Sequence, residues 1–200
     1  MKDTREHIVH TALTLFLRKS FKEVTMKDIV GETGLSKGAF YHYFSSKEQV
    51  FEEVIRVFFE SMLVDNIDPL AHPSLRAFYE DYLKQVERQV KKAHVAMGDK
   101  EGEFSSNIYF LIFDALKLLP GFKQKLKEQQ RKELKDWTKV VSLARERGEI
   151  RSSMTDEQVA KVFIYINDAI GINAIMEDKV GRMVKDIMPM YDAFYASIKA

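Results

Sequence analysis

The chain has 200 residues, 46% of them hydrophobic and 30% charged, a balance that fits one large folded domain or two small ones sharing a core and excludes disorder. It contains no cysteine, which excludes disulfides, thiolate metal sites and a cysteine nucleophile. The net charge of +1 is unevenly spread: residues 117–148 hold 10 Lys/Arg against 4 Asp/Glu, whereas residues 51–116 hold 7 against 12. The basic segment is expected to be a solvated helix face, because its apolar residues keep a helical stripe and no aromatic platform accompanies the lysines. The first residues lack an apolar leader core, and no stretch is expected to span a bilayer, so a cytoplasmic location is expected.

Helical periodicity runs through nearly the whole chain. Ile8, Ala12, Leu13 and Phe16 stripe a first helix, and Phe21 and Val24 follow a short break. Thr25 starts a short helix with Asp28 at the capping-box position, and Gly34 stops it. Ser36 caps another short helix to about Tyr43. Ser46 caps a long one to about Val64, striped by Val50, Phe51, Val54, Ile55, Phe58 and Phe59. Pro69 and Pro73 mark the best boundary in the chain.

Beyond it, Leu75 to Val90 form a helix of about five turns, and Gly98 and Gly102 bound a loop. Phe104 to Leu119 is a very apolar helix closed by Pro120 and Gly121. The next helix ends at Gly148, and another is capped by Thr155 and runs to about Met176. Pro189 lies inside the last stripe and is expected to kink it or break it in two. No strand or repeat is predicted. The fold class is all-α with about nine helices.

Residues 25–44, TMKDIVGETGLSKGAFYHYF, read as a helix-turn-helix. Ile29, Val30, Leu35, Phe40 and Phe44 are spaced to pack its two helices on each other and on the first helix. Gly38 and Ala39 leave one face of the second helix bare for a close approach to a groove. Lys37, Tyr41, His42 and Tyr43 remain exposed, and such side chains bind phosphates and read bases.

Residues 8–50 resemble the DNA-binding domain of the tetracycline-repressor (TetR) family. The resemblance rests on Ala12, Leu13, Phe16, Phe21, Val24, Thr25, Ile29, Gly34, Leu35, Ser36, Lys37, Gly38, Tyr41, Phe44, Lys47 and Glu48. Ser20, where the family usually has Gly, and Val30, where it has a small residue, depart from the pattern away from the DNA face. The resemblance implies a DNA-binding domain at 1–50, a linking helix at 46–64, and an effector-binding and dimerisation domain at 65–200. Thr25, Ser36, Tyr41 and Lys47 would hold phosphates, while Lys37, Gly38, Ala39, His42 and Tyr43 would face bases. The partners implied are a palindromic double-stranded DNA operator, an unknown small-molecule effector and a second copy through helices 156–176 and 180–199.

Aromatic residues of the C-terminal region are mostly expected to be core. Phe58, Met62, Phe78, Tyr82, Phe110, Asp114 and Trp137 are the candidates for an effector cavity, with Asp114 either turned to solvent or selecting a polar or cationic ligand. A ligand there would push the far end of the 46–64 helix and swing the reading head off DNA. Asn167 and Asp168 are similar polar candidates. No phosphate loop, metal motif or catalytic constellation occurs, so no cofactor, metal or enzymatic activity is expected. A ligand-free nucleoid-type DNA binder is the nearer alternative, but it needs more basic charge around the reading head. The GETG at 31–34 matches the loop of KH RNA-binding domains, yet lacks the flanking strands that fold requires.

Overall fold

A computed structural model of the protein describes residues 2–62, 67–96, 107–177 and 179–200. Among them are nine α-helices: α1 (Lys2–Arg18), α2 (Met26–Thr33), α3 (Lys37–Tyr41), α4 (Lys47–Met62), α5 (Leu75–Ala96), α6 (Asn107–Leu118), α7 (Phe122–Glu146), α8 (Asp156–Met176) and α9 (Met183–Ile198). Two short 3-10 turns accompany them, and one isolated β-bridge joins Ile150 to Lys199. Gly98, Gly102 and Phe104 lie outside the described residues.

The chain forms two compact units. The first comprises residues 1–63 and 92–123, the second residues 64–91 and 124–200. α6 belongs to the first of these units. It packs on α1 and α4 because Ile108, Leu111 and Ala115 give it a buried apolar stripe that those helices cover.

In the first unit, Ile8, Ala12, Leu13 and Phe16 of α1 are buried together with Val50, Phe51, Val54 and Ile55 of α4. Phe16 meets Phe51 edge-on at 5.3 Å, and Phe21 closes the cluster 4.6 Å from Phe51. Ser20 needs no left-handed glycine. Its N–H and hydroxyl both donate to the Glu23 carboxylate, at 2.9 and 2.8 Å, which folds the turn after α1 locally.

In the second unit the core lies among α5, α7, α8 and α9. Phe163 stacks on Trp137 at 5.1 Å and meets Tyr191 edge-on at 5.0 Å, and Phe78 and Tyr82 meet Trp137 at 4.9 and 5.1 Å. Glu149 ties the start of α5 to α9 by accepting from the Leu75 N–H at 3.0 Å and the Tyr195 hydroxyl at 2.9 Å.

Two sequence expectations are revised here. The last helix runs unbroken through Pro189, which lies on its exposed side, where water can satisfy the carbonyl that loses its partner. By length and composition α8 is long and apolar enough to cross a membrane, contrary to the expectation of no such stretch. Its apolar residues divide between two faces. Val159, Phe163 and Ile164 enter the unit's core, while Tyr165, Ile172 and Met176 are exposed.

Candidate nucleic-acid interface

The reading head is built from backbone chemistry that the sequence specifies locally. Thr25 caps α2 in a full capping box: its hydroxyl accepts from the Asp28 N–H at 3.2 Å, and Asp28 accepts from the Thr25 N–H at 2.8 Å. Donation from the Thr25 hydroxyl, and then from the Thr25 N–H, holds the Asp28 carboxyl below the usual carboxylate range. The Thr25 hydroxyl proton also lies on Asp28, at 2.7 Å, so a phosphate here meets backbone N–H groups rather than that hydroxyl. Gly34 ends α2 at φ 67°, a left-handed conformation that any side chain would strain.

Thr33 is buried at the end of α2 and holds the turn to α3. Its hydroxyl donates to the Val30 carbonyl at 2.8 Å, and its own carbonyl lies 3.1 Å from His7 Nε2 on α1. Ser36 then caps α3 by accepting from the Ala39 N–H at 3.3 Å. Phe40 and Phe44 are buried and anchor α3 from below, while Val30 and Leu35 are half-buried.

With α3 fixed in that way, Lys37, Gly38, Ala39, Tyr41 and His42 are exposed and Tyr43 is half-buried. A Cβ added at Gly38 would meet nothing within 4 Å, which leaves the backbone free to approach a surface. The predicted reading residues therefore share one exposed element. Tyr43 is the least available, its ring edge-on to His42 at 5.2 Å.

Lys47 also has partners inside the first unit. Its ammonium donates to the carbonyls of Phe21 at 2.8 Å and Val24 at 2.7 Å, and sits 4.2 Å from the Phe21 ring centre. Two of its three N–H groups thus secure the turn between α1 and α2. Lys47→Met is expected to destabilise the first unit by about 1–3 kcal/mol, because two part-buried carbonyls lose their donors. Urea unfolding of the two proteins checks this, and equal midpoints would show that the ties carry no weight. Sequence spacing could not show this role, since the partners are main-chain atoms.

Asp114 accepts from the Phe21 N–H at 3.3 Å, so α6 and Lys47 hold the same residue. Phe110, expected to line a cavity, is 59% exposed on α6. The Met62 side chain lies outside the described residues. Phe58 is buried in the first unit, whereas Phe78, Tyr82 and Trp137 come together in the second.

Comparison with known proteins agrees with this geometry. Residues 8–54 match the family "Bacterial regulatory proteins, tetR family". The chain is 26% identical over 184 residues to the HTH-type transcriptional regulator YfiR of Bacillus subtilis, covering 89% of this chain and 83% of YfiR. It is 26% identical over 115 residues to IcaR of Staphylococcus aureus, an HTH-type negative transcriptional regulator of the biofilm operon icaADBC, covering 55% of this chain and 62% of IcaR. The fold resembles that of SmeT in its complex with triclosan, with a TM-score of 0.58 at 17% identity over 99% of this chain and 92% of SmeT. These curated relatives are transcriptional regulators, not enzymes. The capped helix pair, its exposed residues and the matching family model together identify residues 8–54 as a DNA-binding domain of the tetR-family type, in a chain whose curated relatives are transcriptional regulators.

Proposed function

We propose that this regulator is a repressor that works as a homodimer in the cytoplasm, holds a palindromic operator through two copies of α3, and lets go when a small molecule occupies its C-terminal unit. The observation that carries the reading is the exposure of Lys37, Gly38, Ala39 and His42 on one short helix whose opposite side is locked by Phe40. Lys37 can donate to guanine O6 and N7, and Ala39 can touch a thymine methyl. Ser36, Tyr41 and the third N–H of Lys47 serve phosphates, with the backbone N–H groups that follow Thr25.

Few cations surround the head, so one copy gains little affinity from phosphates alone. A dimer supplies the second half-site, about 34–36 Å away in the next major groove. The exposed Tyr165, Ile172 and Met176 of α8, with Met190 of α9, supply an apolar surface for the second copy. Negative regulation is the direction of IcaR, and a small molecule is bound in the SmeT structure. Within the first unit, the Asp114 bond gives α6 a hold on the turn that precedes α2, a route by which displacement of α6 would tilt the reading head.

Lys37→Ala is expected to cost roughly 1–3 kcal/mol of operator affinity and to relax preference at one position per half-site. Fluorescence anisotropy against the wild-type operator and its single-base variants measures both. Unchanged affinity together with unchanged preference would remove α3 as the reading element.

A further inference from the structure

The second unit carries a polar cluster that neither its core nor DNA binding accounts for. Glu133 on α7 is half-buried and accepts from the Tyr82 hydroxyl of α5 at 2.8 Å. Asp168 on α8 is near enough for its charge to act on both Tyr82 and Glu133. Neither carboxylate joins an ion pair among the described residues, and packing raises the proton affinity of both.

Three polar atoms in this part of the unit are buried without a partner: Gln85 Oε1, Asn167 Oδ1 and Trp137 Nε1. Gln85 follows Tyr82 by three residues on α5, and Trp137 follows Glu133 by four on α7, so each lies on the same helix face as the pair it neighbours. Trp137 is 1% exposed, and its ring meets that of Tyr82 at 5.1 Å. Orphaned buried polar atoms are costly, and three of them near the half-buried Glu133 are not what apolar packing alone would leave in a core. Exposure falls from Asp168, which is open to solvent, through half-buried Glu133 to Trp137.

We infer that the effector of this regulator is an organic amine cation, its N–H groups taken by Glu133, Asp168, Gln85 Oε1 and Asn167 Oδ1, and its apolar body laid against Tyr82 and Trp137. Acceptors predominate, so the ligand presents chiefly donors, and the single indole N–H allows it one acceptor. Protonated amines meet this demand, whereas a quaternary ammonium supplies charge without N–H groups. The Asp168 carboxylate lies on the flank of the apolar α8 face carrying Tyr165 and Ile172, where a second copy would deprive it further of water and increase its need for a cation.

This assignment rests on the reading of the protein as effector-responsive, and its test separates the two. A series of arylalkylamines, each matched by the arylalkanol, arylalkanoate and trimethylammonium compound of the same skeleton, is titrated into the full-length protein by calorimetry. The expected result is that at least one amine binds tenfold or more tightly than its alcohol, carboxylate and quaternary counterparts. The Glu133→Gln, Asp168→Asn double variant is expected to lose that preference while keeping its Tm within about 4 °C of the wild type, because Gln retains an oxygen for Tyr82. No amine preferred over its matched alcohol, or a preference that survives the double variant, would overturn the cation site; so would a Tm loss beyond that range, which would mark the carboxylates as structural. The same compounds are added to the preformed operator complex. Amine binding without release sinks the release mechanism and leaves the site, whereas release by neutral or anionic members alone sinks the site and leaves the mechanism.

Discussion

An Ile172→Asp, Met176→Asp double variant is expected to run as a monomer and to bind its operator about a hundredfold to ten-thousandfold more weakly than the wild type. Tyr165, Ile172 and Met176 recur at seven- and eleven-residue offsets along α8, which places them on one stripe of the helix, and all three are exposed in the single chain. Each copy would then have to bury two carboxylates in the interface without cations, and their desolvation would hold the subunits apart. The second half-site then no longer binds as an intramolecular event, and the loss of effective concentration sets the size of the drop. Sedimentation velocity at micromolar concentration and operator titration measure the two effects together. A dimer that persists in the variant would move the interface elsewhere.

Phe163→Ala is expected to destabilise the second unit by about 3–5 kcal/mol. Phe163 is fully buried, and its ring packs against those of Tyr79, Trp137, Tyr191 and Phe194 at 5.8, 5.1, 5.0 and 5.1 Å. The Tyr191 hydroxyl also donates to the Phe163 carbonyl at 3.0 Å, so the backbone of α8 is held to α9 at the same point. Truncation would leave a cavity walled by rings on several sides, which limited rotation keeps from collapsing. Guanidinium unfolding followed by Trp137 fluorescence reports this directly, since Trp137 is the one tryptophan of the chain. A loss under 1 kcal/mol would mean the cluster repacks.

The elements that the sequence made legible are those fixed by local chemistry. Thr25 with Asp28, Gly34, Ser36, and Thr155 with Gln158 all cap helices where spacing placed them. The helical stripes of α1 and α4 predicted the buried side of each. The parts that were not legible depend on backbone atoms or on distant packing. Lys47 reads as a free surface cation because its partners, the Phe21 and Val24 carbonyls, carry no side-chain signal. Asp114 is opaque for the same reason, since it binds the Phe21 N–H 93 residues away. Phe110 looks like core in a sequence window that is apolar all round, but α6 buries Ile108, Leu111 and Ala115 instead. An all-round apolar pattern cannot tell which side faces inward.

The effector candidates divide along the same line. Phe78, Tyr82 and Trp137 stand out in the sequence for their aromatic character, and the structure packs all three into one core, against other rings. The polar atoms that single out part of that core, Gln85 Oε1 and Asn167 Oδ1 among them, are distinguished by the lack of a partner, a property no sequence pattern displays.

The most direct test of sequence-specific operator binding by paired copies of α3 is selection of bound duplexes from a random-sequence DNA library by the purified full-length protein. The account predicts enrichment of an inverted repeat whose half-sites are centred about one helical turn, or a whole number of turns, apart, with one position in each half-site losing its preference when Lys37→Ala protein is used. Recovery of duplexes with no common sequence, or of a motif identical for the wild type and Lys37→Ala, would contradict it.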